Sequence, residues 1–153
     1  MSIDLTNESG QTVDERGLIS LAGYCLERLR IHPQAELSIM VADVATMTSY
    51  HERFMGEPGP TDVLSFPMDE LRLPRDDDEP VEGILGDIVI CPEIIGEQAA
   101  ERGRDVGGET EYLLVHGLLH LLGFDHATAE EKAEMFGLKD RLLADYRSSR
   151  AEA

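Results

Sequence analysis

The chain has 153 residues, of which 42% are hydrophobic, and its 31 acidic against 13 basic residues give a formal charge of −18 at pH 7. A domain of this size buries enough surface to fold without disulfide staples, so a single domain over residues 1–153 is expected. The charge excludes the broad basic face used by most nucleic-acid binders, leaving at most a locally cationic cleft on an acidic, solubilising surface.

In chain order, SIDLTN alternates apolar Ile3 and Leu5 with polar neighbours, as a half-buried strand does. No basic segment leads into an apolar run there, so no secretory signal is expected. Leu18, Leu21, Ala22, Cys25 and Leu29 recur at helical spacing and predict a helix from Val13 to Ile31, closed by Pro33. ELSIMVAD alternates again, and Thr46 to Met55 reads as a short helix stopped by Gly56 and the turn-forming EPGP. TDVLSFP predicts a third strand, with Val63 and Ser65 on one face and Leu64 and Phe66 on the other. The prolines and acidic run of LRLPRDDDEPVEG mark a mobile surface loop. GILGDIVI is apolar enough for a central strand, and Pro92 is placed to open the helix PEIIGEQAAERG, which ends in GRDVGG.

Leu113 to Leu122 is apolar on nearly every side, so the helix that it predicts belongs in the core. The run YLLVHGLLHLLGF is shorter than the roughly 18 apolar residues of a membrane span. Thr128 and Glu131 form a capping box for a last helix, with Met135, Leu138, Leu142 and Tyr146 at core spacing. Met135 fits that stripe and is not read as the Met-turn of one zinc-protease group. The order β-α-β-α-β-β-α-α-α predicts an α+β fold, a mixed four-stranded sheet packed with helices, one of them a buried helix bearing a metal. Cys25 and Cys91 show no paired spacing and read as buried small hydrophobes in a reducing compartment. His32 and His51 read as ordinary structural histidines.

HGLLHLLGFDH, residues 116–126, carries the chemistry. His116 and His120, four apart on a helix, differ by about 40° around the axis and point the same way. Gly123 can end the helix in the left-handed conformation and turn the chain back, so that His126 closes a three-nitrogen face. Three neutral imidazoles leave a tetrahedral zinc one open position, the layout of a catalytic rather than a structural site. The spacing is that of a class of zinc proteases, yet Gly117 stands where those carry the glutamate that activates water. Peptide hydrolysis is disfavoured; phosphoryl chemistry and other hydrolyses stay open, because zinc itself lowers the pKa of bound water to about 7. Asp125 either orients a ligand histidine or assists with protons, or it is a solvent-facing aspartate at the helix stop.

Together with TDVLSFP and GDIVICPE upstream, in that order, HGLLHLLGFDH closely resembles the YbeY family of bacterial endoribonucleases, also called rRNA maturation factors. The resemblance covers about Leu37 to His126. It implies a zincin-like α+β fold, with one zinc, or another divalent transition metal, on His116, His120 and His126. It also implies hydrolysis of single-stranded RNA in rRNA maturation, at the 16S rRNA 3′ end, and in ribosome quality control, with rRNA and the ribosome or its subunits as partners in the cytoplasm. Family members commonly place an arginine shortly before the TDVLSFP-type strand, where it faces the scissile phosphate. Alignment backwards from Thr61 without a gap puts Met55 there, and the nearest arginine is Arg53. Arg53 either reaches the cleft through a shift of the loop or is a surface helix residue. Arg28 with Arg30, and Arg102 with Arg104, are the close basic pairs and read as solvated; a substrate presented by a ribosome demands no strong basic surface. Two other readings stand beside this one: a metallohydrolase of a peptide or small ester, and a non-enzymatic assembly factor whose zinc holds the fold.

Overall fold

The computed structural model describes residues 2–74 and 79–152. The expected acidic loop falls partly on residues 75–78, outside the described residues. Strands β1 (Ser2–Asn7), β2 (Glu36–Val41), β3 (Val63–Pro67) and β4 (Ile84–Ile90) form a sheet in the order β1-β2-β4-β3. β1, β2 and β4 run parallel and β3 joins β4 antiparallel, which makes the sheet mixed, as expected.

Alternation assigns the faces of the sheet. Ile3, Leu5, Leu37, Ile39, Ile88 and Ile90 contribute to the larger core, and Met40, Leu64, Phe66 and Val89 to a smaller one on the opposite side. β4 is apolar on both faces because both faces are covered, which is why it is central. Gly86, at φ 138°, sits where an added Cβ would collide with the Phe66 carbonyl, next to a register shift between Glu36 and Leu37. Only glycine lets β3 approach so closely there.

The helices are α1 (Glu15–Arg28), α2 (Val44–Met55), α3 (Pro92–Arg102), α4 (Val106–Leu121) and α5 (Ala129–Glu152), and the nine elements follow the order read from the sequence. Three boundaries differ. α1 stops before Pro33 because Arg30 adopts φ 58°, while its N–H donates to the Glu27 carbonyl and that of Ile31 to the Leu26 carbonyl, each at 3.0 Å. α2 starts earlier, since the Asp43 carboxylate accepts the Thr46 N–H at 2.8 Å. α4 starts well before Leu113: Asp105 caps it by accepting the Gly108 N–H at 2.9 Å, so the glycines read as loop form its first turn.

α4 packs against α1, α3, α5, β3 and β4. Its Leu114, Val115, Leu118, Leu119 and Leu121 are fully buried. At about 1.5–3 kcal/mol for each large side chain buried, these residues fix the rotation of the helix, and its two histidines go where that rotation sends them. Cys25 and Cys91 are buried free thiols. None of the described helices is long and apolar enough to cross a membrane. α5 opens with the capping box: Thr128 N–H donates to Glu131 Oε1 at 3.2 Å, and Glu131 N–H to Thr128 Oγ1 at 3.1 Å.

Candidate metal centre

His116 and His120 lie one turn apart on α4 with their Nε2 atoms 3.0 Å from each other. His126 returns from the following turn, its ring centroid 5.6 Å from that of His116 and 5.3 Å from that of His120. One ring nitrogen of each lies within 4.8 Å of the others, a set that could hold a metal ion. Tetrahedral nitrogen ligands about 2.1 Å from zinc stand roughly 3.4 Å apart, a spacing within the range these three rings already span.

The turn is built by Gly123 at φ 93°. Its N–H donates to the His120 carbonyl and the Phe124 N–H to the Leu119 carbonyl, each at 3.0 Å, closing the helix end. The same turn brings the Phe124 carbonyl 2.9 Å from His120 Nδ1. That ring therefore donates its Nδ1–H to the carbonyl and leaves the Nε2 lone pair facing the other imidazoles. Burial first, then the charges of Lys139, His120 and His126, push His116 down to about 3. His120 is lowered too, again chiefly by burial. Both are neutral at pH 7, the form that ligates metals.

A cavity of about 550 Å³ opens beside these two rings, walled by Met55, Val63, Ser65, Tyr112 and Phe136. Gly117 faces the sheet: a Cβ there would lie 3.0 Å from Ser65 Oγ and 3.2 Å from both Ile88 Cγ2 and Val63 Cγ2. The Ser65 hydroxyl donates to the Gly117 carbonyl at 2.8 Å, pinning α4 to β3. A side chain at the position where the proteases carry glutamate would press on Ser65, Ile88 and Val63.

Lys139 completes the wall and escapes a reading by motif. It is fully buried in α5, with Nζ 3.1 Å from His116 Nδ1 and 3.7 Å and 3.8 Å from the ring centroids of Tyr112 and Phe136. Burial lowers its pKa to about 8, with Asp140 opposing. The signal that could have found it is its spacing, four after Met135 and three before Leu142, on the buried stripe where a cation is out of place. Leu138, expected on that stripe, is only half-buried, and Met135 is a core residue as read.

The other candidates lie outside the cavity. Arg53 is exposed in the last turn of α2, with its guanidinium 5.3 Å from the Phe54 ring centroid, while Met55 lines the cavity. Two residues apart on a helix means about 200° around the axis, so the two cannot face the cleft together. Asp125 is exposed and accepts the His126 N–H at 2.7 Å; a backbone carbonyl, not this carboxylate, orients His120. His32 accepts the Gln34 N–H at 2.9 Å, and His51 pairs with the Gly59 carbonyl at 2.8 Å. Of the basic pairs read as solvated, Arg28 meets Asp145 at 3.3 Å, and Arg102 and Arg104 meet the buried Glu109 at 3.8 Å and 3.1 Å.

The family profile described as Endoribonuclease YbeY matches residues 4–147. A protein named Endoribonuclease YbeY from Cutibacterium acnes is 59% identical over 150 residues, covering 98% of this chain and 97% of its own. Its namesakes from Beutenbergia cavernae and Thermobifida fusca are each 53% identical, with coverage of 98% and 99% of this chain and 100% and 98% of theirs. The solution structure of TM1509 from Thermotoga maritima superposes with a TM-score of 0.61 at 23% identity, over 100% of this chain and 96% of that one, a likeness of fold.

Proposed function

The chain belongs to the YbeY endoribonuclease family, and on that premise we propose that it is a metal-dependent endoribonuclease that cuts single-stranded RNA during rRNA maturation, at the 16S rRNA 3′ end, and in ribosome quality control in the cytoplasm. The observation that carries this reading is the convergence of three imidazole nitrogens within 4.8 Å beside an open cavity. His116, His120 and His126 hold the ion, and zinc suits three neutral nitrogens with one position open. When bound, it supplies Lewis-acid polarisation of a phosphate oxygen and acidifies water.

The chain's own residues do the rest. Burial keeps His116 and His120 unprotonated, and the Phe124 carbonyl holds His120 in its ligating tautomer. Tyr112 and Phe136 wall the cavity beside the imidazoles, in which a single strand would lie. Arg53, on the exposed end of α2, serves the flanking RNA backbone rather than the scissile phosphate. Asp125, bonded to the His126 N–H, sets the turn that presents the third ring. The filled space at Gly117 speaks against the peptidase alternative. With a charge of −18, the protein suits a substrate held by the ribosome better than free RNA.

Purified protein carrying one zinc per chain is expected to cut single-stranded RNA, and His120→Ala to abolish both zinc binding and cutting and to leave unprocessed 16S rRNA ends in cells. Zinc-loaded protein that spares single-stranded RNA, combined with normal rRNA ends in His120→Ala cells, would overturn the proposal.

A further inference from the structure

The three imidazoles are not held alike. His116 and His120 stand on a helix whose buried side chains fix its rotation, whereas His126 follows a surface turn that leaves the helix at Gly123. Two backbone hydrogen bonds close that turn, Gly123 N–H to the His120 carbonyl and Phe124 N–H to the Leu119 carbonyl, each at 3.0 Å. Bonds at a surface turn open locally at low cost, so whatever covers the turn governs how long the third ring stays in place.

What covers it is Arg72. Measured from where a Cβ on Gly123 would stand, Arg72 Nε is 2.5 Å away, Cζ 2.7 Å and Cδ 2.9 Å. The guanidinium and its last methylene therefore rest on the glycine itself, a close approach that a side chain at 123 would abolish. Leu71 is buried in the larger core and Leu73 packs against it, so the chain is anchored on both sides of Arg72 although its own side chain is exposed. Arg72 Nη1 also donates to the Leu71 carbonyl at 3.1 Å. None of the ion pairs among the described residues takes up the guanidinium. It lies in a crevice of about 300 Å³ lined also by Asp125, Glu131 and Glu134, whose carboxylates draw it toward the turn and the start of α5. That crevice shares no lining residue with the cavity beside His116 and His120, so the positive charge stands behind the turn and outside the cavity.

We propose that Arg72 is a positioning residue of the metal centre: laid across Gly123, it clamps the turn that presents His126 and so slows release of the ion. This rests on the three-histidine reading above. Arginine stays charged at every working pH, so the clamp acts by contact and not by titration. It makes the connection between β3 and β4 part of metal retention, although none of its described residues belongs to the ligand set.

Four proteins test it: wild type, Arg72→Ala, Arg72→Lys and His120→Ala. Each is assayed for zinc stoichiometry, for the rate at which excess chelator strips the ion and, free of zinc, for amide hydrogen exchange. Arg72→Ala removes the cover and should release zinc about 3- to 10-fold faster than wild type, within the usual reach of a residue that acts on a site without touching its ligand. In the zinc-free protein, exchange at Gly123 and Phe124 should quicken while that at Val115 and Leu118, inside α4, stays unchanged. Arg72→Lys keeps a long cationic chain over the glycine and should stay within about twofold of wild type. Unchanged release and exchange in Arg72→Ala overturn the inference and leave the three-histidine site intact. Faster exchange throughout α4 marks general destabilisation and overturns it as well. If Arg72→Ala weakens only the binding of single-stranded RNA, the arginine serves the substrate and the inference falls. Wild type that binds no zinc, or His120→Ala that binds it normally, overturns the site itself and the inference with it. If Arg72→Ala does not fold, Arg72→Gln takes its place, and wild-type release in that variant overturns the inference.

Discussion

At Gly117 the absence of a side chain serves packing, because Ser65, Ile88 and Val63 already occupy the space a Cβ would enter. Gly117→Glu is therefore expected to lower stability by at least about 1–3 kcal/mol in urea denaturation, the usual penalty of overpacking, and to confer no peptidase activity. A neighbouring residue sets the acid limit of the site. Folded His116 stays unprotonated down to about 3, whereas in an unfolded chain it binds its proton near the ordinary histidine value of 6.5. Between those values the unfolded state holds more protons, so the stability His116 contributes above pH 6.5 is lost as the pH falls through that window. Thermal melts of the zinc-free protein should show this slope, and His116→Gln should flatten it. The histidines were legible in the sequence because helical spacing by itself converges them. The fate of Arg53 was not, since it depends on which side of α2 faces the cleft, and the Phe124 carbonyl belongs to the backbone, which residue letters do not reveal.

Among elements, α4 and the turn behind it act together. Hydrophobic pattern identified every helix and strand in order, because apolar periodicity reports burial directly. Ends were read less well where a polar side chain or a strained backbone decides them: Asp105 recruits two glycines into α4, and Arg30 halts α1 in a left-handed conformation. Gly123 was foreseen, and its turn does more than end a helix, since it also orients His120 through Phe124 and delivers His126. Gly123→Ala must place a Cβ at φ 93° against the Arg72 guanidinium. The strain of a left-handed non-glycine residue should lower stability by about 1–2 kcal/mol. Zinc affinity should fall along with it, which chelator competition beside denaturant titration would measure. A variant that loses stability but binds zinc as before would uncouple the turn from the site.

For the whole molecule the net charge governs encounter. Arg28, Arg102, Arg104 and Arg147 are paired with Asp145, Glu109 and Glu111, and the surplus of carboxylates repels a polyanion at long range. Association with free single-stranded RNA should accordingly speed up as salt is raised from low to physiological strength, since screening relieves like-charge repulsion. A stopped-flow rate that falls steeply with salt would instead point to a cationic entry path.

Two of the three imidazoles are fastened to a core helix, and the third rides on an exposed turn. For the proposed three-histidine site that asymmetry predicts that an ion departs when one loop swings aside, its residence time set by local motion rather than by unfolding. Stripping by excess chelator should then run faster than hydrogen exchange of the α4 amides, giving the cell a simple way to load, empty or exchange the metal on a folded protein.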